Sequence, residues 1–371
     1  MRITKINLSN FRNYLNINIK LNDKMNIFVG DNAQGKTNIL ESIVILALTK
    51  SHRVINNPNI IMFGKNNCKL ECSVKKDKLI SKLEVLLSDN DMKKLFINKS
   101  QIRKVSDYIS YLNVIVFSPD DLEIVKGSPN VRRNLLNIEL SQISKVYLNT
   151  YNEFNKILKT RNEYLKILYN NGISDKSYLD VITEKLIEKS IVIYQKRKEF
   201  IDMINENINN YFKYITGEDN LKIEYINNID INDYTVEEIK TKYSEKLKKN
   251  YNREIQNGMT LYGPHRDDFI FKYKDTDLKI YGSQGQQKLS ILCLKLSEVP
   301  IFKKVTNYYP VLLLDDIFSE LDLKKRNKLL KLINEFNIQS IVTTTDLKNI
   351  QKKYIENAYV FHVKNGNIDR K

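Results

Sequence analysis

The 371-residue sequence has three cysteines and no long apolar segment, and each scarcity excludes a class of protein. No run of about 18 uncharged apolar residues occurs, which argues against a membrane-spanning helix. The cysteines are sparse and odd in number, which is typical of a reducing cytosol and argues against a disulfide framework. The first residues also lack the apolar core and cleavage site of a signal peptide, so we expect a cytoplasmic protein.

The chain is long enough for two or three structural units, and its patterns divide it into three parts. Residues 1–129 combine short segments typical of strands with one predicted helix at residues 37–48. Residues 130–260 have long helical periodicity, which predicts either a two-legged antiparallel arm or, equally, helices packed in one globular lobe. Residues 261–371 return to strand–helix alternation, which predicts a parallel α/β sheet.

A phosphate-binding pattern, G-x-x-x-x-G-K-[ST], lies between a predicted strand and the predicted helix. The residues that match or fill it are Gly30, Asp31, Asn32, Ala33, Gln34, Gly35, Lys36 and Thr37. Its glycines let the backbone wrap around phosphate oxygens, and the N–H groups at the helix start point at the anion. Lys36 would reach the β- and γ-phosphates of a nucleotide, and the Thr37 hydroxyl would bind Mg²⁺.

Two carboxylates, Asp315 and Asp316, follow an apolar segment at residues 311–314. Such a segment is typical of a strand buried on both faces, and α/β sheets bind ligands at the carboxyl ends of their strands. We therefore expect Asp315 to hold Mg²⁺, directly or through water, and Asp316 to orient the attacking water. The alternative, that both carboxylates cap the next element, is disfavoured by the presence of the phosphate loop.

A second glycine-containing turn, at residues 281–288, precedes another predicted helix. Ser283, Gly285 and Gln286 would present N–H groups and a hydroxyl to an anion. Turns of this type also commonly cap helices, so the pattern alone is a weak signal. Because one chain gains little from a second phosphate-binding turn, we expect this one to meet the γ-phosphate bound by another subunit.

The order of these motifs resembles the ABC-type ATPase heads of the SMC and Rad50 class. Finer matches resemble the RecF family of bacterial recombination-repair ATPases, and they extend over nearly the whole chain. They are LSNFRNY at residues 8–14, GKTNILE at 35–41, KSHR at 50–53, FSPDDL at 117–122, KGSP at 126–129, RR at 132–133, YGPHRDD at 262–268 and LDDIFSELD at 314–322. The implied fold class is α/β: an ABC-type ATPase head, formed by residues 1–129 and 261–371, with an inserted mainly helical arm.

The resemblance implies ATP and Mg²⁺ as cofactors of the head. It gives catalytic roles to Lys36, Asp315 and Asp316, and it makes Thr37 and Asp315 the metal ligands. Where most ABC ATPases have a glutamate, this chain has Asp316, whose shorter side chain implies slow hydrolysis. Arg53 resembles the arginine that SMC-type heads direct at the nucleotide; a surface or DNA contact is an equal alternative.

Other motifs of the resemblance concern the partner subunit and the switch. The turn with Ser283, Gly285 and Gln286 would be the signature that closes on the partner's nucleotide, and residues 319–322 would communicate across the dimer. The usual metal-contacting glutamine after Phe117 is absent, which leaves Ser118 and Asp120 as open alternatives. The usual switch histidine is also absent, and Thr344 or Thr345 lies at its place.

The function implied by the resemblance is ATP-dependent DNA binding in replication and recombinational repair, within the response to DNA damage known as the SOS response. ATP would join two copies into a clamp on gapped DNA or single-/double-stranded junctions, and slow hydrolysis would release it. RecO- and RecR-like mediators are the implied partners, and loading of recombinase onto single-stranded gaps is the implied task, at the nucleoid. The alternative is an SMC-like structural DNA tether, for which predicted legs of about 35–40 helical residues are short.

The charge is strongly basic, with 60 Lys and Arg against 44 Asp and Glu and a net charge of +16. Such a balance predicts a polyanionic partner, most often nucleic acid. The alternative is a coding bias towards lysine, which would raise the net charge without any such partner. Residues 130–260 carry only +2, whereas residues 1–129 carry +8 and residues 261–371 carry +6. We therefore expect DNA to contact the head or its dimer groove and not the arm.

Overall fold

The computed structural model describes residues 1–51, 53, 57–89, 92–171, 177–319, 321–348 and 350–370. The chain forms two compact units. The first unit comprises Met1–Asp121, Asn210–Glu218 and Ile291–Lys371, and the second comprises Leu122–Asn209 and Asp219–Ser290. No helix among the described residues is both long enough and apolar enough to cross a membrane.

The strands of the described residues are short and belong to three sheets. In chain order they are β1 (Arg2–Phe11), β2 (Tyr14–Lys20), β3 (Met25–Val29), β4 (Asn67–Lys76), β5 (Leu79–Ser88), β6 (Lys93–Ile97), β7 (Ser100–Ile102), β8 (Val114–Phe117), β9 (Leu221–Ile226), β10 (Asp268–Tyr273), β11 (Thr276–Asp277), β12 (Val311–Asp315), β13 (Ser340–Thr344), β14 (Tyr359–Lys364) and β15 (Asn367–Arg370).

The helices of the described residues range from single turns to two long helices in the second unit. In chain order they are α1 (Lys36–Leu48), α2 (Val105–Tyr108), α3 (Glu123–Lys126), α4 (Pro129–Ile143), α5 (Lys145–Asn171), α6 (Ser177–Asn205), α7 (Ile208–Thr216), α8 (Val236–Lys249), α9 (Tyr251–Asn257), α10 (Leu278–Tyr281), α11 (Gln284–Thr306), α12 (Leu323–Phe336) and α13 (Lys352–Ile355).

The first unit contains a six-stranded antiparallel sheet with the order β2-β1-β4-β5-β6-β7. Its strands alternate buried and exposed residues, as β4 does with the buried Cys68, Leu70 and Val74. Because successive side chains of a strand point to opposite faces, these residues share one face, and they belong to the same core as Ile43 of α1. The opposite face of the sheet is mainly polar.

The second sheet of the first unit has the order β15-β14-β3-β13-β12-β8. Strands β14, β3, β13, β12 and β8 run parallel, and β15 pairs with β14 in the antiparallel sense. Every residue of β3, β12 and β13 is buried, in agreement with the prediction of a continuous apolar strand ahead of the two carboxylates. The carboxyl ends of these three strands therefore lie at one edge of the sheet.

The second unit is mainly helical, with α5 of 27 residues and α6 of 29 residues packed against each other. Both helices are shorter than the legs expected from the sequence. A fully buried ion pair fixes α5 to α9, because Arg161 donates to Glu254 at 2.7 Å. The same guanidinium donates to the hydroxyls of Thr183 and Thr260, so its hydrogen-bonding capacity is used inside the protein.

The predicted boundaries at 129/130 and 260/261 differ from this division. Residues 219–290 belong with the long helices because β10 pairs with β9 along its whole length, in the three-stranded sheet β11-β10-β9. The strand that we predicted near residues 269–273 exists, but it is not part of the parallel sheet. Residues 210–218, which we predicted within the arm, belong to the first unit.

Candidate nucleotide-binding site

The candidate site lies at the carboxyl ends of β3, β12 and β13. The loop of residues 30–35 follows β3 and leads into α1, and Asp315 is the last residue of β12. The register pairs Asp315 with Thr343, and Thr343 with Phe28 of β3. Parallel pairing thus brings the start of α1 next to Asp315, which lies about 280 residues later in the sequence. Ligands of α/β sheets bind at the carboxyl ends of the strands, where these residues meet.

The two glycines of the loop are required by its close contacts. Gly35 has a φ of 113°, and a Cβ placed on it would lie 2.5–2.8 Å from Asn13 and from the Tyr14 hydroxyl. A Cβ on Gly30 would collide with the backbone oxygen of Val363. The Tyr14 hydroxyl also donates to the Gly35 carbonyl at 2.9 Å. The loop is therefore held in one shape by Asn13, by Tyr14 of β2 and by Val363 of β14.

Lys36 is folded back over the loop. Its ammonium group donates to the carbonyl oxygens of Gly30 at 2.7 Å and Asp31 at 2.8 Å. Burial lowers the pKa of Lys36, and the nearby carboxylates of Asp316 and Asp315 oppose that shift. The cation thus lies inside the loop, where an incoming phosphate could replace the two carbonyl contacts.

A chain of hydrogen bonds joins the start of α1 to both carboxylates. The Thr37 hydroxyl donates to Oδ1 of Asp315 at 2.9 Å, and the Thr343 hydroxyl donates to the same oxygen at 2.6 Å. The Thr343 hydroxyl also accepts from the backbone N–H of Asp316 at 3.0 Å. The sequence did not point to Thr343, because only the register of β12 against β13 places it beside Asp315.

The oxygen atoms of the site fit a magnesium ion. Asp316 has a buried carboxylate oxygen, Oδ1, without a hydrogen-bond partner among the described residues. Mg²⁺ prefers oxygen ligands and is usually bound by one or two carboxylates together with phosphates and water. Thr37, Asp315 and Asp316 offer this donor set, whereas the described residues contain no cluster of three or more His, Cys, Asp or Glu.

A cavity of about 310 Å³ opens over these groups. Its lining residues are Asn32, Ala33, Gly35, Lys36, Thr37, Asn38, Arg53, Pro119, Asp315, Asp316 and Thr343. Three predicted loop residues, Gly30, Asp31 and Gln34, do not line the cavity. The carbonyls of Gly30 and Asp31 accept from Lys36, and the Gln34 side chain accepts from the N–H of Asn365 at 2.7 Å.

The residues after Phe117 differ in their position. Pro119 lines the cavity, while Ser118 is hydrogen-bonded to Asp121.

A buried carboxylate that the sequence analysis missed, Glu41 of α1, organises the arginines at this site. Arg12 binds both of its oxygens at 3.0 and 2.7 Å, and the Ser51 hydroxyl donates to it at 2.5 Å. Burial alone would raise the pKa of Glu41, but these hydrogen bonds and the charges of Arg12 and Arg53 lower it below its usual value. Glu41 ends the GKTNILE match at residues 35–41, but the sequence gives no sign of its partners, which only the fold shows.

Arg53 is held more loosely than Arg12. Its guanidinium lies 3.7 Å from Glu41 and donates to the side chain of Asn38 at 3.1 Å. Glu41 already carries a bidentate partner, so the positive charge of Arg53 remains available at the cavity wall. Arg53 thus lines the cavity, and its contact with a nucleotide stays a prediction. Its neighbour His52 lies outside the described residues.

The turn with Ser283, Gly285 and Gln286 belongs to the second unit and begins α11. The Ser283 hydroxyl accepts from the N–H of Gln286 at 3.2 Å, and the Gln286 side chain accepts from the N–H of Ser283 at 3.1 Å. This reciprocal pair is a capping box, so the helix-capping alternative for the turn is also realised. A Cβ on Gly285 would come no closer than 4.0 Å to the Ser283 hydroxyl. The local fold therefore does not require glycine there.

The remaining predicted positions lie around this framework. Ser319 donates to the carbonyl of Asp316 at 2.7 Å, and Asp322 caps α12; Glu320 lies outside the described residues. Thr344 binds the carbonyl of Asp346 at 3.1 Å, and Thr345 is exposed. Neither is among the residues that line the cavity.

Comparison with known proteins places the chain in a family. The family model described as the RecF/RecN/SMC N terminal domain matches residues 2–369. The DNA replication and repair protein RecF of Ligilactobacillus salivarius is 38% identical over 370 residues, which are 99% of this chain and 97% of that protein. The RecF protein of Listeria monocytogenes serotype 4b is 38% identical over the full length of both chains.

Solved structures agree with this placement. A structure of the recombination mediator protein RecF with ATP, in the RecFOR pathway, has a TM-score of 0.92 at 29% identity and covers 100% of this chain and 97% of its own. The Smc head domain with a coiled coil and joint from Pyrococcus yayanosii has a TM-score of 0.59 at 13% identity, which shows a shared fold alone. The α/β fold is thus that of an ABC-type ATPase head with an inserted mainly helical part, as predicted. The chain belongs to the RecF family, within the wider RecF/RecN/SMC group.

Proposed function

We propose that this chain binds ATP and Mg²⁺ at the cavity and acts as an ATP-dependent DNA-binding protein of replication and recombinational repair. The observation that supports this most is the meeting of Lys36, Thr37, Asp315 and Asp316 in one cavity behind a loop shaped by two obligatory glycines. The names of the RecF relatives and the RecF–ATP structure support the same assignment.

Nucleotide binding would use the loop as a cradle. The N–H groups at the start of α1 and the Lys36 ammonium group would bind the phosphates. The phosphates would take the place of the Gly30 and Asp31 carbonyls as hydrogen-bond acceptors of Lys36. Thr37 and Asp315 would hold Mg²⁺. Once bound, the ion would supply positive charge that neutralises the negative charge developing on the phosphates.

Hydrolysis would depend on Asp316. Asp316 lines the same cavity, where its carboxylate would accept a hydrogen bond from the attacking water and orient it in line with the γ-phosphate. The water oxygen would bond to the γ-phosphorus as the bond to the β-γ bridging oxygen breaks, which leaves ADP and phosphate. We infer slow turnover, because an aspartate reaches less far than the glutamate of most ABC ATPases.

The signature turn would complete the site of a second copy. Ser283 and Gly285 are exposed, and the space around Gly285 would let the backbone of the turn approach a phosphate closely. ATP would then join two copies into a dimer by filling the gap between the loop of one and the turn of the other. Loss of the γ-phosphate would remove that link, a switch run by one phosphate contact.

DNA would contact a surface that we call the lysine face, the polar face of the antiparallel sheet. The strand register places six lysines on it, and they are Lys5, Lys20, Lys69, Lys75, Lys82 and Lys94. Two carboxylates share this face, Glu71 and Glu84, and both are engaged by Lys69 or Lys82 at 2.6–3.4 Å. The other four lysines form no ion pair within the described part of the chain, which suits a phosphate backbone.

In the cell this activity would serve gapped DNA and single-/double-stranded junctions in the cytoplasm, at the nucleoid. RecO- and RecR-like mediators would be its protein partners, as the name of the RecFOR pathway of the solved relative suggests. Loading of recombinase onto single-stranded gaps would follow from clamp closure. The SMC-like tether is disfavoured, because helices of 27 and 29 residues extend only about 40–44 Å at 1.5 Å per residue.

The nucleotide site is tested by equilibrium binding of a fluorescent ATP analogue with Mg²⁺. Lys36→Ala should weaken binding by about 100-fold, since it removes the cation that faces the phosphates. The exposed Lys24, on the turn before β3, provides the matched control, and Lys24→Ala should bind as the wild type does. Equal binding by both variants would contradict the proposed site.

A further inference from the structure

Thr343 is the residue of β13 that lies between the two carboxylates. It is fully buried, and the register pairs it with Asp315 on the neighbouring strand. Its hydroxyl makes two contacts at once: the O–H donates to Oδ1 of Asp315 at 2.6 Å, and the oxygen accepts from the N–H of Asp316 at 3.0 Å. One side chain therefore touches the side chain of the first carboxylate residue and the backbone of the second.

We propose that Thr343 is a positioning residue for ATP hydrolysis, which fixes the directions in which Asp315 and Asp316 face the cavity. This inference rests on the proposed ATPase function of the site. Thr343 would act through the two aspartates: it sets the orientation of the carboxylate that holds Mg²⁺ and of the backbone that carries the water-orienting carboxylate.

The backbone of Asp316 needs such a contact. Its φ is +48°, in the left-handed region that residues other than glycine adopt infrequently. The residue follows directly after the last ladder position of β12, so its N–H no longer pairs with a neighbouring strand. The Thr343 hydroxyl takes over as acceptor, and it stabilises the turn that directs the Asp316 side chain towards the cavity.

The side chain of Asp315 is equally constrained. Its Oδ1 receives two hydroxyl donors, from Thr37 at 2.9 Å and from Thr343 at 2.6 Å. When Thr37 turns to bind a metal ion, the bond from Thr343 remains and keeps the carboxylate in place. Positioning groups behind metal ligands act in this way, and their loss typically costs about 10- to 100-fold in metal affinity or activity.

Among the three consecutive threonines, only Thr343 has a hydroxyl that contacts both aspartates. Thr344 is also buried, but its hydroxyl contacts Asp346, and Thr345 is exposed. Ser340, at the other end of β13, provides the control: it is buried like Thr343, its hydroxyl has no hydrogen-bond partner among the described residues, and it does not line the cavity.

The test uses the full-length protein with Thr343→Val, Thr343→Ser and the control Ser340→Ala. Valine keeps the shape of threonine but can neither donate to Asp315 nor accept from Asp316, whereas serine keeps the hydroxyl. We would measure kcat and KM for ATP, binding of Mn²⁺ in the presence of ATP by electron paramagnetic resonance, binding of a fluorescent ATP analogue in EDTA, and thermal unfolding.

We expect Thr343→Val to lower kcat and to weaken Mn²⁺ binding, each by about 10-fold or more, while metal-free nucleotide binding changes less than about twofold. Thr343→Ser should restore both quantities, and Ser340→Ala should change neither. Should Thr343→Val fail to fold, Thr343→Ala takes its place, because it removes the hydroxyl without adding an apolar methyl group.

Wild-type kcat and Mn²⁺ affinity in Thr343→Val would overturn the proposal. So would equal losses in Thr343→Val and Ser340→Ala, or a loss in Thr343→Val that serine does not restore, because these results indicate a packing role. A wild-type protein that binds neither ATP nor Mn²⁺ would instead contradict the proposed function itself, so the two failures are distinguishable.

Discussion

The two glycine-containing turns at helix starts differ in what requires their glycines. In the loop of residues 30–35, the fold of the chain itself requires Gly30 and Gly35, because neighbouring atoms leave no room for a Cβ. In the turn before α11, Gly285 has open space around it, and the local fold would accept another residue. The first turn is thus shaped by its own unit, whereas nothing around the second demands glycine, as the proposed approach of a partner's nucleotide would require. This difference supports a site that two copies complete together.

The largest effect should follow from Gly35→Ala. A Cβ at this position would contact Asn13 and Tyr14, and alanine is strained at a φ of 113°. We expect a loss of about 1–3 kcal/mol in the free energy of unfolding and a loss of about 100-fold in ATP affinity. Urea denaturation and fluorescent-nucleotide titration measure the two effects. Wild-type values for both would show that the loop tolerates a Cβ, and the comparison would fail.

A large effect on DNA binding is also expected from removing lysine charges on the lysine face, but not from removing them on the second unit. Neutralising Lys5, Lys20, Lys75 and Lys94 to glutamine should reduce the slope of log affinity for duplex DNA against log salt by about 3–4, since each phosphate contact contributes about 0.9. The matched control neutralises four exposed lysines of the second unit, which are Lys156, Lys185, Lys240 and Lys248. This control should leave the slope nearly unchanged. Equal changes in both variants would contradict the placement of DNA on the lysine face.

A smaller and more selective effect should follow from Gly285→Ala. The protein should remain folded, and its free energy of unfolding should stay the same or rise by up to about 1 kcal/mol, because alanine is the better helix former. Dimerisation with ATP should weaken by about 10-fold, since the added Cβ obstructs close approach to the partner's nucleotide. Sedimentation velocity with ATP measures this. Dimerisation equal to the wild type would remove Gly285 from the interface.

The smallest effect concerns the stability of the second unit. Burial lowers the pKa of His265 from 6.5 to about 4, so the folded protein holds the neutral imidazole. The stabilisation by His265 is therefore present above pH 6.5 and is lost as the pH falls towards 4. Between pH 7.5 and 5.5, the wild type should lose about 1 kcal/mol more stability than His265→Gln. Urea denaturation at both pH values measures this, and parallel losses would contradict the neutral, buried state.

The sequence predicted the parts of the site that have fixed spacing along the chain. The phosphate loop needs a strand, two glycines and a helix start within a few residues, and the apolar segment before Asp315 identifies a buried strand. Both predictions of local structure are confirmed by β3, α1 and β12. The α/β class followed from the same patterns.

The parts that depend on pairing between distant segments were not predicted. Thr343 is beside Asp315 because of strand register, which the sequence alone does not give. The family resemblance singled out Thr344 and Thr345 instead, for a different role, at the place of the switch histidine. Glu41 gained its role from Arg12, whose placement depends on the turn between β1 and β2. The units divide differently from the predicted parts for the same reason, because the pairing of β10 with β9 cannot be read from either strand alone.

Control of DNA binding by ATP is tested by measuring affinity for a gapped duplex with ATP, with ADP and without nucleotide at one salt concentration. We expect tight binding with ATP alone, and weak binding by Lys36→Ala in all three states. Equal affinity of the wild type in all three states, under conditions in which it binds ATP, would show that the nucleotide does not control DNA binding.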